Sequence, residues 1–254
     1  MDIFSQETWA EYDPKGLIAL RLEQVLKIIP PEVETILDAG CGNGVITNAL
    51  HPKYRVTGLD LSPAALEHVR TPKMTASVTA IPFPDRSFDL VMCNEVLEHL
   101  NDEELAQAVS ELKRCASGHM LLSVPNREQL NTELVRCANC GLVFHAYGHQ
   151  QSFSLDRLDA LIGWPRIWSN TLGPSRRYFS PALLKFRQQR LLQWFKPNTP
   201  LSCPACQSRE FLVRRNLLTK AVNALGRLGR LSRQYWLMAM YAAPSSRNKG
   251  SEGV

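Results

Sequence analysis

Thr35-Ile36-Leu37-Asp38-Ala39-Gly40-Cys41-Gly42-Asn43-Gly44 is the stretch on which the fold turns. Its first three residues read as a buried strand, and the acid and alternating glycines that follow read as a sharp turn into a helix from about Val45 to Leu50. Glycines at 40, 42 and 44 let the backbone bend tightly and let a ligand approach with no Cβ in the way. Downstream, Tyr54–Leu59 reads as a second strand ending at Asp60, 20 positions past Gly40, where a doubly wound fold grips a ribose diol. Ser62-Pro63 opens a helix, serine as cap and proline as first helical residue. Phe88–Cys93 and His119–Pro125 read as further strands, with a helix from Asp102 to Cys115 between them. Strands alternating with helices predict an α/β doubly wound, Rossmann-like, parallel-rich sheet covered on both faces. The loop differs from the dinucleotide pattern G-x-G-x-x-G, because Val45 stands at its third glycine, and it lacks the Lys-Ser/Thr of a phosphate-binding loop.

Outside this core, Leu17, Leu20, Val25 and Ile28 predict a helix over 16–29 that Pro30-Pro31 stops. After Pro125 the pattern loosens. Ser154 caps a predicted helix, Arg166-Ile167-Trp168 reads as a weak strand, Ser180-Pro181 opens a helix to about Phe195, and 197–204 reads as a loop. From Leu217 the apolar positions Leu218, Ala221, Val222, Leu225 and Leu228 recur at helical spacing, with Trp236 on the same side and Lys220, Arg227 and Arg230 opposite. Gly226 and Gly229 each weaken such a helix by about 1 kcal/mol. The expected division is therefore a domain over 1–208 followed by a basic amphipathic helical tail over 209–254. The domain comprises a cofactor-binding core over about 16–126 and a substrate-side region over about 127–208. The tail is expected to be disordered from Ser245 onward.

Across its 254 residues the chain is 44% hydrophobic and 21% charged, a globular balance that excludes a fibrous or wholly disordered protein. No apolar run reaches the roughly 20 residues of a membrane span, and Met1-Asp2-Ile3-Phe4-Ser5 lacks the features of a secretory signal. A cytoplasmic protein is expected. Residues 209–254 hold nine Lys and Arg against two Glu, so within a total of +5 the rest carries −2. An acidic body argues against nucleic acid as partner, whereas a basic tail with Tyr235, Trp236 and Tyr241 suits peripheral contact with an anionic inner-membrane surface.

Ile36 to Gly44 resembles the first motif of class I S-adenosylmethionine-dependent methyltransferases. Ala80-Ile81-Pro82-Phe83-Pro84-Asp85-Arg86-Ser87-Phe88-Asp89 and Glu95-Val96-Leu97-Glu98-His99-Leu100 resemble two later segments of the type 11 branch, so the likeness extends over about residues 34–126. The resemblance implies S-adenosylmethionine as cofactor. It would place Gly40 and Gly42 along the methionine moiety, Asp38 on the loop or the amino group, and Asp60 on the ribose hydroxyls. Leu61 would then flank the adenine, Val78 pass the adenine edge, and Asn94 face the cofactor near the methyl group. Ser77 stands where the branch often has an aspartate before that edge.

Seven cysteines fall into two kinds: Cys41, Cys93 and Cys115 stand alone, while Cys137/Cys140 and Cys203/Cys206 form C-x-x-C pairs. Paired spacing without a signal peptide points to metal, and two pairs make a four-thiolate zinc site. The pairs are separated by 62 residues, so the fold must bring them together. Two other readings stand beside this one: a local set of Cys137, Cys140, His145 and His149, or plain reduced thiols. If the cysteines hold the zinc, His145 and His149 are available as catalytic or substrate-contacting groups, since an imidazole takes protons near neutrality. His99 reads as a residue that orients a helix start, and His51, His68 and His119 as structural or exposed.

The function expected is methyl transfer from S-adenosylmethionine to a small molecule, a glycan or a lipid-linked intermediate. The alternatives are an RNA methyltransferase that grips its substrate with a zinc module, and a non-catalytic zinc-bearing interaction protein.

Overall fold

The structure is a computed structural model that describes residues 17–197, 200–228 and 230–244. A sheet of seven strands carries the molecule. Five of them are parallel and contiguous: β1 (Thr35–Ala39), β2 (Arg55–Asp60), β3 (Lys73–Thr75), β4 (Phe88–Asn94) and β5 (Ala116–Pro125). Two more come from the second half of the chain, β8 (Arg166–Arg177) and β9 (Ser232–Ala242), in the order β3-β2-β1-β4-β5-β9-β8. β9 runs antiparallel to both its neighbours.

Alternation along the strands sends neighbouring residues to opposite faces. Ile36, Leu90, Met92, Leu121, Met238 and Met240 meet α1 (Leu17–Ile28) and α2 (Val45–Leu50) on one side. Leu37, Val91, Cys93, Leu122, Leu237 and Tyr241 meet α4 (Asp102–Cys115) and α5 (Leu155–Ile162) on the other. The local signals work as the sequence suggests. Ser62 accepts the N–H of Ala65 to start the four-residue α3 (Pro63–Leu66), Asn101 and Glu104 form a capping box on α4, and Ser154 caps α5 through the N–H of Arg157.

A second, small unit rests on a hairpin, β6 (Leu134–Arg136) with β7 (Val143–His145), that the sequence reading left unassigned. Its own core gathers Val135, Ala146 and Leu201 with Phe144, Tyr147, Phe195 and Phe211. Single bridges, Cys137 to Phe211 and Gln193 to Val213, sew the later chain onto it. Two further helices are α6 (Pro181–Gln189), shorter than expected, and α7 (Leu217–Arg227), and 3-10 turns lie at Leu97–His99 and Leu130–Glu133.

The expectation of a separate helical tail over 209–254 needs correction. Only α7 is helical. Residues 232–242 form β9, which lies between β5 and β8 inside the sheet, and Trp236 and Tyr241 are buried core residues with no access to a membrane. Leu237 to Ala243 is nearly unbroken apolar sequence, as befits a strand covered on both faces. The weak strand at 166–168 is likewise the start of the twelve-residue β8, drawn out by pairing along β9. Gly226 is a packing requirement, because a Cβ there would stand 2.2 Å from the ring of Phe179. The expected disorder of 245–254 lies outside the described residues.

Candidate active site

The glycine turn sits where β1 ends, at the carboxyl edge of the parallel strands, the side on which open α/β sheets bind ligands. Gly40, Gly42 and Gly44 all adopt positive φ, of 78°, 54° and 72°. The N–H groups of Gly40 and Cys41 both donate to the carbonyl of Leu59, at 2.6 and 3.0 Å, tying the turn to the end of β2. Asp60 completes the tie: one carboxylate oxygen accepts the Gly42 N–H at 2.7 Å and the other the Ser62 N–H at 2.9 Å. Each oxygen keeps a further lone pair for a hydroxyl. Beside it Leu61 is exposed, an apolar surface suited to a flat ring, while the Val78 side chain is buried in the core.

Asp38 is buried and accepts a 2.6 Å hydrogen bond from the Thr47 hydroxyl, which fixes the start of α2. Burial pushes its carboxyl up to about 6, with the charge of Asp60 adding to the rise and the Thr47 bond opposing it. Asn94, at the tip of β4, has both amide atoms buried without a well-formed hydrogen bond, although it lies close enough to Asp38 to steady that carboxylate. A buried amide with spare donors and acceptor at this edge fits a polar ligand such as the methionine end of the cofactor. Arg21 of α1, buried over the Trp236 ring and 3.9 Å from Glu95, brings a cation to the same edge. Nothing in its sequence neighbourhood marked it.

Past β4 and β5 a second group of side chains converges. Glu128, just after β5, accepts from or donates to His149 Nδ1 at 2.6 Å, according to the proton's place. His145 stacks on His149 with ring centres 4.8 Å apart, and His99 meets His149 edge-on at 4.8 Å. The N–H groups of Tyr147 and His149 both donate to His145 Nδ1, so the proton of that ring sits on Nε2. Burial pushes His145 down to about 4, helped by His149, and burial with the same neighbour pushes His99 down to about 4. Both are neutral at physiological pH. Burial alone would raise Glu128, but the bond and charge of His149 outweigh it and hold the carboxyl low. Glu98 is buried with neither carboxylate oxygen hydrogen-bonded. Burial and the nearby Glu95 push its pKa well up. The sequence suggested His145 and His149. It placed Glu98 and His99 in a segment that resembles the type 11 branch without showing that they meet His149, and it gave no sign of Glu128, because a lone acid in a polar stretch carries no pattern.

The cysteine pairs do meet. Cys137 Sγ lies 3.6 Å from Cys206 Sγ, Cys140 Sγ lies 3.5 Å from Cys203 Sγ, and all four sulfurs fall within 4.8 Å of one another. Four thiolates about 2.3 Å from one ion at tetrahedral angles stand about 3.8 Å apart, so the cluster fits zinc with little adjustment. Backbone N–H groups inside the knuckles, of Cys140 for Cys137 and Ser208 for Cys206, favour the thiolate forms, and Cys137 is brought down to about 6. The local alternative is not the set brought together: His145 and His149 gather on Glu128 instead.

Comparison with known proteins bears on the parallel part of the sheet and its glycine turn. Residues 37–122 match a family described as a methyltransferase domain, of type 11. A protein of Methanocaldococcus jannaschii is 29% identical over 170 residues, covering 64% of this chain and 68% of that one. A probable S-adenosylmethionine-dependent methyltransferase of Mycolicibacterium smegmatis is 39% identical over 100 residues, 36% of this chain and 38% of that one. A malonyl-[acyl-carrier protein] O-methyltransferase of Halorhodospira halophila is 36% identical over 108 residues, 38% of this chain and 36% of that one. The match thus spans little more than a third of the length of these last two relatives. Among solved structures, an S-adenosylmethionine-dependent methyltransferase from Archaeoglobus fulgidus shares the fold with a TM-score of 0.53 at 15% identity, over 95% of this chain and 97% of that one.

Proposed function

We propose that this S-adenosylmethionine-dependent methyltransferase passes a methyl group to a hydroxyl of a small or lipid-linked acceptor, with His149 as general base and Glu128 as the group that holds it. The observation that carries this reading is the 2.6 Å contact between Glu128 and His149 Nδ1 at the carboxyl edge of the sheet. A ring fixed through Nδ1 offers Nε2 to the acceptor, and the carboxylate steadies the positive charge that follows.

When bound, the cofactor supplies a methyl group on a positively charged sulfur, already activated for transfer. The chain's work is then to align the acceptor and to exclude water. Asp60 would hold the ribose diol through its spare lone pairs, Leu61 would offer its apolar surface to the adenine, and the backbone near Val78 would read the adenine edge. Gly40 and Gly42 let the main chain approach the methionine end, Asn94 donates and accepts there, and Asp38 keeps the turn in place through Thr47. The acceptor hydroxyl would give its proton to His149 Nε2. Neutral His145 positions the loop that carries His149 by accepting two of its backbone N–H groups. Cys137, Cys140, Cys203 and Cys206 would hold zinc, which would fasten the small unit that carries β6 and β7 and so steady this loop. The relatives from Halorhodospira halophila and Coxiella burnetii are both malonyl-[acyl-carrier protein] O-methyltransferases, which supports an oxygen acceptor.

The test is a labelled-methyl transfer screen over lipid, glycan, small-molecule and RNA fractions of a cell extract, followed by kinetics on the acceptor found. His149→Ala should lose about 10²–10⁴ in kcat while calorimetry shows cofactor affinity unchanged. Glu128→Gln should lose less and shift the pH profile of kcat. Full turnover of a hydroxyl acceptor by His149→Ala would overturn the assignment, and labelling confined to RNA would replace it with the nucleic-acid reading.

A further inference from the structure

Helix α7 is amphipathic in the unexpected sense. Its residues against the body are Thr219, Val222 and Gly226, two of them small or polar. At about 100° per residue these occupy one arc, and Leu217, Leu218, Ala221, Ala224 and Leu225 occupy an arc of about 120° on the outer side. The structure agrees: Leu217, Leu218 and Leu225 are 83%, 52% and 57% exposed, and Leu228 and Leu231, just beyond the helix, are 72% and 80% exposed. Gly226 lies flat under the Phe179 ring, so the helix rests lengthwise on the body and presents its leucines outward along its whole length.

Along the chain, the charge on either side of this stripe has one sign. Arg214, Arg215, Lys220, Arg227 and Arg230 flank it, and between Phe211 and Pro244 the sequence contains no Asp or Glu. All five of these cations are exposed. One of them is engaged in part, Arg227, which leans over Phe179 at 5.7 Å, and no ion pair among the described residues involves any of the five.

We infer that α7 with its flanking arginines is a docking surface for an anionic lipid bilayer, entering the headgroup region with Leu217, Leu218, Leu225, Leu228 and Leu231 and holding lipid phosphates with the surrounding cations. An apolar stripe rimmed by Lys and Arg, on a helix that lies tangentially, is the geometry of an interfacial helix. A leucine face meant for a second protein would be expected to meet mixed charge at its rim. This surface is independent of the methyl-transfer reading. It differs from the expectation drawn on sequence, because Trp236 and Tyr241 take no part. Among the described residues no helix is long and apolar enough to cross a membrane, so the contact is peripheral.

The experiment is flotation of the full chain with phosphatidylcholine vesicles, with and without phosphatidylglycerol, at low and high salt. The wild type should float with the phosphatidylglycerol vesicles, stay down with phosphatidylcholine alone, and release as salt screens the charges. Leu218→Gln combined with Leu225→Gln, at exposed positions that leave the fold intact by circular dichroism, should lower partitioning at least roughly tenfold. Lys220→Glu with Arg230→Glu should do the same without touching the leucines. A wild type that does not float with phosphatidylglycerol vesicles would overturn the inference, as would a leucine variant that floats as well as wild type. A dimer seen by sedimentation, dissolved by the leucine change and indifferent to lipid, would assign the stripe to a second copy instead.

Discussion

Replacing Gly40 by alanine should separate two costs that the glycine turn avoids. The first is conformational. Gly40 has φ of 78°, in the left-handed region where an L side chain costs about 1–2 kcal/mol. The second is steric. The added Cβ would stand 2.2 Å from Val96 Cγ2 and 3.4 Å from Val96 Cβ and Cγ1, so Val96 would have to turn or the loop to shift. Overpacking of that kind costs about 1–3 kcal/mol, which makes the total roughly 2–5 kcal/mol. Val96 opens the 3-10 turn Leu97–His99, so its displacement is passed to Glu98 and His99 as well. Urea unfolding of Gly40→Ala, Val96→Ala and the double variant is the assay. The double variant should recover the steric part and remain about 1–2 kcal/mol below Val96→Ala. Calorimetry should show cofactor binding weakened in both alanine-40 variants, since the backbone can no longer approach the ligand as closely. An unchanged unfolding midpoint for Gly40→Ala would refute the reasoning. So would a double variant whose costs simply add, for then Val96 would not be what meets the Cβ.

Elemental analysis of protein purified without chelator should find one zinc per chain. Cys203→Ser should lose it and loosen the small unit, whereas His149→Ala should keep it. His145 should make stability fall with acid. Its folded pKa of about 4 lies below the ordinary value of about 6.5, so the unfolded chain takes up the proton first. The stabilisation is complete above about pH 6.5 and is lost as pH falls toward about 4, by up to about 3 kcal/mol, because a protonated Nδ1 cannot accept the Tyr147 and His149 N–H groups. The urea midpoint of His145→Gln should therefore change less between about pH 7 and about pH 5 than that of wild type, and equal slopes would count against it.

Where the chain obeys local rules, its sequence is readable. Glycines that must adopt positive φ, an acid at the tip of β2, Ser62-Pro63 and the C-x-x-C pairs each have a physical reason to be where they are, and the structure puts them there. Ser232–Ala242 shows the opposite. A strand buried on both faces is a continuous apolar run, which periodicity cannot tell from a helix, and the true helix just before it extends the misleading pattern. Nor does helical spacing say which side of α7 faces the body. That is decided by Phe179 lying on Gly226, a contact between residues 47 positions apart. The cluster around His149 was half visible, since histidines attract notice and Glu128 does not. Its meaning comes from the turn after β5 meeting a loop some twenty residues later.

The placement of β9 also constrains how the molecule can be made. β8 has no partner in the main sheet other than β9, and β9 is synthesised 55 positions after β8 ends. Until residues 232–242 leave the ribosome, the nascent sheet stops at β5 with an open edge, and β8 waits beside it as an unattached ribbon. Each is a site for pairing with the wrong chain, and the long sequence separation between the partners makes the correct closure slow. Docking of this single strand then closes two ladders at once and lays Met238, Met240 and Trp236 onto the face shared with α1 and α2. Assembly of the described sheet is thus gated by β9, whose arrival covers both open edges.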